Sequence, residues 1–596
     1  MSGADSENST RRVAIIVVSA FLLVSLVVAV TVGVTWQQIE SEENQEGDKS
    51  VSNKQKAVKS ICAPTDYKKE CEETLEAEGG DTSDPKQLIM VTFNATIKKI
   101  ESALEKSHTL HEAENDPRAK QALDSCKDLM QLSIDEFTRS LYSINSFDFN
   151  NIDKILMNLK VWLSGAITYQ DTCIQGFENT TSPAGQKMKE LLENAMHMSS
   201  NGLAIINDMA NALASLNLTK QSRRLLHHED DLTHAGDATV LRHGVHHNLQ
   251  LPFWMEEDGM GARRGLLEGD KHIKEGKLKP DVVVAKDGSG KFKSINEALN
   301  QVPKKNKKPF VIYIKEGVYK EYVHIKKDMT YVVLIGDGGN KTRITGNKNF
   351  KDGTNTYNTC TVAVQGDHFL AIKMGFENSA GAEKHQAVAL RVQADLSIFY
   401  KCQIDGYQDT LYAHALRQFY RDCTISGTID FIFGDAVSVF QNCTFVVRKP
   451  MENQQCIVTA QGRKERHQPS AIVIQGGSIV ADKKYYPVRF KNKAYLARPW
   501  KLYSRTIIME AYLDDLIQPE GFLGWDTLGT GEKTCFYAEY NNKGPGSDVS
   551  KRVKWNGIKH ITPQHATDFS PLRYFKNDLW IRETRIPYNP GMLSTK

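Results

Sequence analysis

Hydrophobic and polar positions change rhythm along the chain, and the changes divide it. Between about 57 and 218, apolar residues recur every three or four positions. Within 119–141 the stripe runs Leu123, Cys126, Met130, Ile134, Phe137 and Leu141, and 152–169 and 185–213 repeat the period. This is the amphipathic-helix pattern, and it predicts an all-α antiparallel four-helix bundle over 57–218. Over 219–279 the period is lost among His, Gly and charge, which reads as a linker. Six histidines from His227 to His247 leave a metal-binding tract as the alternative. From 280 to 590 the runs are short and β-rich: 282–285, 310–314, 331–335, 361–364 and 372–376.

This last region contains an echo. Phe399-Tyr400-Lys401-Cys402-Gln403-Ile404 is followed by Phe419-Tyr420-Arg421-Asp422-Cys423-Thr424-Ile425, then by Val439-Phe440-Gln441-Asn442-Cys443-Thr444-Phe445. The cysteines are 21 and 20 residues apart. Short strands repeating at that interval, with no helices between them, predict an all-β parallel β-helix. Equivalent residues then stack about 4.8 Å apart. Cysteines so placed are within disulfide reach, and a ladder of free thiols is the other outcome.

Near the N-terminus, 13–36 is 24 residues without a charge. At ~1.5 Å per residue it can cross a ~30 Å hydrocarbon core as a transmembrane helix. Arg11 and Arg12 precede it and Glu40, Glu42, Glu43 and Glu46 follow. By the positive-inside rule, 1–12 is a cytosolic tail, 13–36 a signal anchor and 37–56 a lumenal stalk. A cleaved signal peptide is the alternative, and both send the chain into the secretory pathway. Ten cysteines suit that oxidising route, and no C-x-x-C pair suggests structural zinc. Sequons at Asn94, Asn179, Asn217, Asn340 and Asn442 are candidate glycosylation sites.

Charge separates the two halves. Residues 281–596 carry 45 basic and 31 acidic side chains, a net of +14, against −11 for 1–280. The basic half suits a polyanionic partner and the acidic half a basic one. Nucleic acid is a poor candidate, since no basic run is interleaved with aromatics in a binding module.

The coil spacing also acts on carboxylates. Asp409 and Asp430 are 21 residues apart, one coil by the cysteine ruler. Two close carboxylates push their pKa values apart, so one can hold a proton while the other is ionised. That supplies an acid and a nucleophile or base in one site, while a structural role for either Asp is the plainer reading. Asp430, between Ile429 and Phe431, needs a partner if buried, and an arginine would serve.

At this point the residues resemble a known family. His385-Gln386-Ala387-Val388-Ala389-Leu390-Arg391, Tyr407-Gln408-Asp409-Thr410-Leu411-Tyr412, Gly427-Thr428-Ile429-Asp430-Phe431-Ile432-Phe433-Gly434, Val458-Thr459-Ala460-Gln461-Gly462-Arg463 and Tyr495-Leu496-Ala497-Arg498-Pro499-Trp500 resemble, in order, the signature segments of plant pectinesterases (pectin methylesterases). Cys62, Cys71 and Tyr169-Gln170-Asp171-Thr172-Cys173-Ile174-Gln175-Gly176-Phe177 resemble the inhibitor-like domain found upstream in many of these enzymes.

The resemblance implies a right-handed parallel β-helix that hydrolyses pectin methyl esters without metal or organic cofactor. It implies Asp430 as nucleophile, Asp409 as proton donor and general base, Gln386 and Gln408 as oxyanion donors, and Arg498 orienting Asp430. Thr356, Gln386, Arg498 and Trp500 match substrate-binding positions. Disulfides Cys62–Cys71, Cys126–Cys173 and Cys423–Cys443 are implied, with Cys402 free. The implied setting is an anchored precursor whose mature enzyme works in the cell wall. Its helical domain is inhibitory, in cis or as a separate partner, until a protease cuts the dibasic linker at Arg223-Arg224-Leu225-Leu226 or Arg263-Arg264-Gly265-Leu266-Leu267. Ala497, Asp435, Cys360, Cys456 and Phe522 depart from the commoner family residues. Asp435, if it points inward, would alter the titration of the carboxylate pair. A pectin depolymerase on the same fold, or a non-enzymatic pectin binder, are the competing readings.

Overall fold

The computed structural model describes residues 53–146, 152–215, 279–526 and 528–593. The tail 1–12, the span 13–36, Asn217 and both dibasic sites lie outside the described residues. Among the described residues, no helix is long and apolar enough to cross a membrane.

The N-terminal part is helical: α1 (Asn53–Cys62), α2 (Lys68–Glu78), α3 (Pro85–Ala113), α4 (Pro117–Asn145), α5 (Ile152–Gln175) and α6 (Ala184–Ser215). Helix α4 shows why these segments form. Asp116 caps it by accepting from the backbone N–H groups of Arg118 and Ala119, and Pro117 occupies the first turn, where no N–H is needed. Of its apolar stripe, Leu123, Cys126, Met130, Ile134 and Phe137 are buried and Leu141 is half-buried.

From 279 onward the chain winds into a parallel β-helix of three sheets. One coil reads Leu411–Ala413, Arg417–Arg421, Thr424–Gly427, and the chain then returns to the first sheet at Ile432–Gly434. Leu411 pairs with Ile432, Phe419 with Val439, and Ile425 with Phe445. Like residues therefore stack inside. Phe399, Tyr420 and Phe440 form one column, with ring centres 4.8 and 4.4 Å apart. Such aromatic pairs contribute about 0.5–1.5 kcal/mol each beyond burial. Lys401, Asp422 and Asn442 take the same left-handed bend on three successive coils.

The cysteines require one correction. Cys62–Cys71 and Cys126–Cys173 are disulfides, with Cα atoms 5.8 and 4.6 Å apart. The implied Cys423–Cys443 bridge is absent, and Cys402, Cys423 and Cys443 are all free thiols. Stacking does bring them together, but each thiol turns to a carbonyl of the preceding coil. Cys423 Sγ donates to Phe399 O at 3.3 Å and Cys443 Sγ to Tyr420 O at 3.6 Å.

The described residues form two compact units. In the first, 53–95 with 200–215, the Asn201 side chain bonds both the N–H and the C=O of Tyr67. The second combines 96–199 with 279–593, and so joins α4 and α5 to the β-helix. Polar contacts make that junction. Trp162 Nε1 donates to Asp395 at 2.9 Å, Arg139 pairs with Asp367 at 3.1 Å, and Thr172 Oγ1 lies 2.8 Å from His414 Nε2. Asp395 in turn takes a two-pronged contact from Arg417.

Candidate active site

Asp409 and Asp430 each begin a return to the same sheet, two residues before paired Leu411 and Ile432. Both adopt left-handed backbone, φ +63° and +49°. That conformation costs an L-residue roughly 1–2 kcal/mol, so the surrounding fold must hold it. Asp409 N–H donates to Ile429 O at 3.0 Å, and Thr428 N–H to Tyr407 O at 2.9 Å, locking the two bends together. Gly427 is required at this junction: a Cβ there would meet Phe431 Cβ at 2.2 Å.

Both carboxylates are buried, yet their surroundings differ. Arg498 emerges from the strand Ala494–Ala497, two coils from Asp430. Its Nε donates to Asp430 Oδ1 at 2.7 Å and its Nη2 to Oδ2, a charge-assisted fork. Burial works against the Arg498 charge, but the Asp430 carboxylate outweighs it and raises the guanidinium above its ordinary pKa. Asp409 has no such fork. Burial first, then the Asp430 charge, push its carboxyl well above the usual range, despite the opposing pull of Arg498. Asp409 is therefore protonated where an exposed aspartate is ionised.

Beside the pair, Gln386 bridges Gln408 on the next coil. The Gln408 side-chain oxygen is buried with no hydrogen-bond partner, so the fold leaves that group uncommitted. An aromatic wall flanks the carboxylates. Tyr412 and Phe433 stack at 4.2 Å, Trp500 meets Phe433 edge-on at 5.8 Å, and Trp525 lies 6.4 Å from Trp500. Trp500 lies against Gly462, where a Cβ would come within 2.7 Å of the indole. Arg498 also packs over Trp525 at 4.3 Å.

Residues 281–578 match the family described as Pectinesterase, and residues 56–205 match Plant invertase/pectin methylesterase inhibitor. A relative in Arabidopsis thaliana named as pectinesterase/pectinesterase inhibitor 28 is 48% identical over 596 residues, covering 99% of this chain and 77% of its own. The chain belongs to the pectinesterase family. A Petunia integrifolia pectinesterase is 48% identical over 408 residues, 68% of this chain and all of its own. Among solved structures, pectin methylesterase from carrot is 44% identical with a TM-score of 0.52, covering 53% of this chain and 99% of its own.

Of the residues singled out by family resemblance, the structure brings Gln386, Gln408, Asp409, Asp430 and Arg498 together, with Trp500 on the adjoining wall. Thr356 stands apart in the turn Thr356–Asn358, just before the coil two below Asp409. Asp435 does not face the pair. It accepts from Thr168 of α5, Gln461, Gln468 and Ser470. Phe522 is buried against Tyr537. Asn94, Asn179, Asn340 and Asn442 are exposed. Sequence reasoning did not single out Trp525, Tyr412 or Phe433. Tyr412 and Phe433 lay inside quoted motifs, and their shared 21-residue spacing was the available signal.

Proposed function

We propose that this chain hydrolyses the methyl esters of pectin, releasing methanol and leaving free carboxylates on the polymer. Asp430, oriented by the Arg498 fork, attacks the ester carbonyl carbon as a carboxylate nucleophile. The carbonyl electron pair moves to oxygen, where Gln386 and Gln408 donate N–H groups to it. Asp409 passes its proton to the methoxy oxygen, and methanol leaves an acyl group on Asp430. Asp409, now a carboxylate, takes a proton from water as that water attacks the acyl carbon. Collapse of the second intermediate frees Asp430 and the acid product. The observation that carries this reading is the asymmetry of the pair: both carboxylates are buried, but only Asp430 sits in an arginine fork, while burial and then the Asp430 charge push the Asp409 carboxyl well above the usual range.

In the same reading, Trp500 and Thr356 bind the sugar chain. The 13–36 span anchors a precursor in the secretory pathway, the exposed sequons carry glycans, and the mature enzyme acts outside the cell. The inhibitor-like helices restrain it until the linker is cut. Contacts of α5 beside Trp500 support that restraint.

Methanol and viscosity measured together test the chemistry. Methanol release from highly methylated pectin without loss of viscosity is expected. Viscosity loss without methanol would transfer the site to chain cleavage.

A further inference from the structure

Helix α5 places one carboxylate against the wall that carries Trp500. Asp171 Oδ1 lies 2.9 Å from Lys464 Nζ, and Oδ2 lies 3.3 Å from Lys501 Nζ. Gln175, one turn later, also donates to Oδ2. One ammonium faces each oxygen, so the two lysines hold the carboxylate as a whole. The Asp171 side chain is 16% exposed. Burial alone would raise its pKa, but Lys501 and Lys464 outweigh burial and hold it below the usual range.

Both lysines belong to the β-helix. Lys464 follows the strand Cys456–Gln461, and Lys501 follows Trp500 directly. Lys501 Nζ lies 5.2 Å from the Trp500 ring centre. Trp500 is two residues from Arg498, the partner of Asp430. The cation pair is therefore continuous with the catalytic wall. Both lysines keep partial exposure, 35% and 22%, so water or a ligand can reach them if α5 leaves.

We propose that Lys464 and Lys501 form a subsite for a free uronate carboxylate of the pectin chain, and that α5 fills this subsite with Asp171. The inference rests on pectin being the substrate. A methyl-esterified uronate lacks the charge that two ammonium groups select, so the subsite discriminates acid from ester next to the reacting sugar.

The test uses the full chain and binding alone, with an unesterified galacturonate oligomer and its fully methyl-esterified counterpart as probes. Asp171→Asn should bind the unesterified oligomer at least tenfold more tightly than the wild type. Adding Lys464→Met and Lys501→Met should remove that gain, and should weaken the unesterified oligomer at least tenfold more than the esterified one. Asp171→Ala carries the same expectation should Asp171→Asn fail to fold. Wild-type affinity in both Asp171 variants, or lysine substitutions that weaken both oligomers alike, would overturn the subsite. Methanol release from the same samples reads the esterase separately, because neither binding result requires turnover.

Discussion

Asp409 and Asp430 occupy the same left-handed bend on successive coils, yet only Asp430 is gripped by Arg498. Two like side chains in equivalent backbone positions thereby become chemically unlike. The distinction depends on the planar fork of Arg498 as well as its charge. Arg498→Lys keeps the charge and loses the second donor. Its kcat for methanol release should fall on the order of a hundredfold, with a much smaller change in KM. Activity within twofold of wild type would show that the fork does not orient the nucleophile.

The raised pKa of Asp409 sets an alkaline limit. In the first step Asp409 must hold a proton, and burial beside Asp430 keeps it there above the ordinary carboxylate range. The rate should decline as pH rises through that elevated value. Asp409→Asn should lose the limb and run on the order of 10²–10⁴-fold slower. A pH–rate profile that keeps the same alkaline limb in Asp409→Asn would assign it to another group.

Much of this site was legible because a β-helix turns sequence interval into spatial contact. The 21-residue step from Cys402 to Cys423 is also the step from Asp409 to Asp430, and strand pairing realises both. The ruler failed where coils carry loops. Val437 pairs with Ala471, 34 positions on, because the loops 448–455 and 462–470 on either side of the strand Cys456–Gln461 are long. Contacts of α5 were illegible for a different reason. Thr168 reaches Asp435 and Asp171 reaches Lys464 across more than 260 residues, and no period connects a helix stripe to a sheet face. The cysteine ladder shows a third limit: spacing brings sulfurs together without deciding whether they bond to each other or to carbonyls.

Asp435 links α5 to the β-helix through Thr168, and burial raises its carboxyl to about 7 against the pull of Ser470, Thr168, Arg463 and Gln468. Between the ordinary aspartate value and about 7, the unfolded chain has lost a proton that the folded chain keeps. Stability therefore falls as pH rises through that window and levels off above about 7. Asp435→Asn cannot titrate, so its Tm relative to wild type should rise between pH 4 and 7 and then stay level. A difference in Tm that is constant with pH would contradict the assignment.

Six of the ten cysteines are free thiols. Alkylation under denaturing conditions without reductant should label Cys360, Cys402, Cys423, Cys443, Cys456 and Cys535, and leave Cys62, Cys71, Cys126 and Cys173 unlabelled. Four labelled thiols, with Cys423 and Cys443 protected, would restore the bridge implied by family resemblance.

In the proposed mechanism Asp430 forms the bond to the ester carbon. Methanol release from highly methylated pectin, by wild type and Asp430→Asn after cleavage in the 219–279 linker, tests it most directly. Methanol from the wild type is expected, with a loss of at least roughly a thousandfold in a folded Asp430→Asn, the effect of removing a nucleophile. Methanol from Asp430→Asn at the wild-type rate, or none from folded wild type, would contradict it.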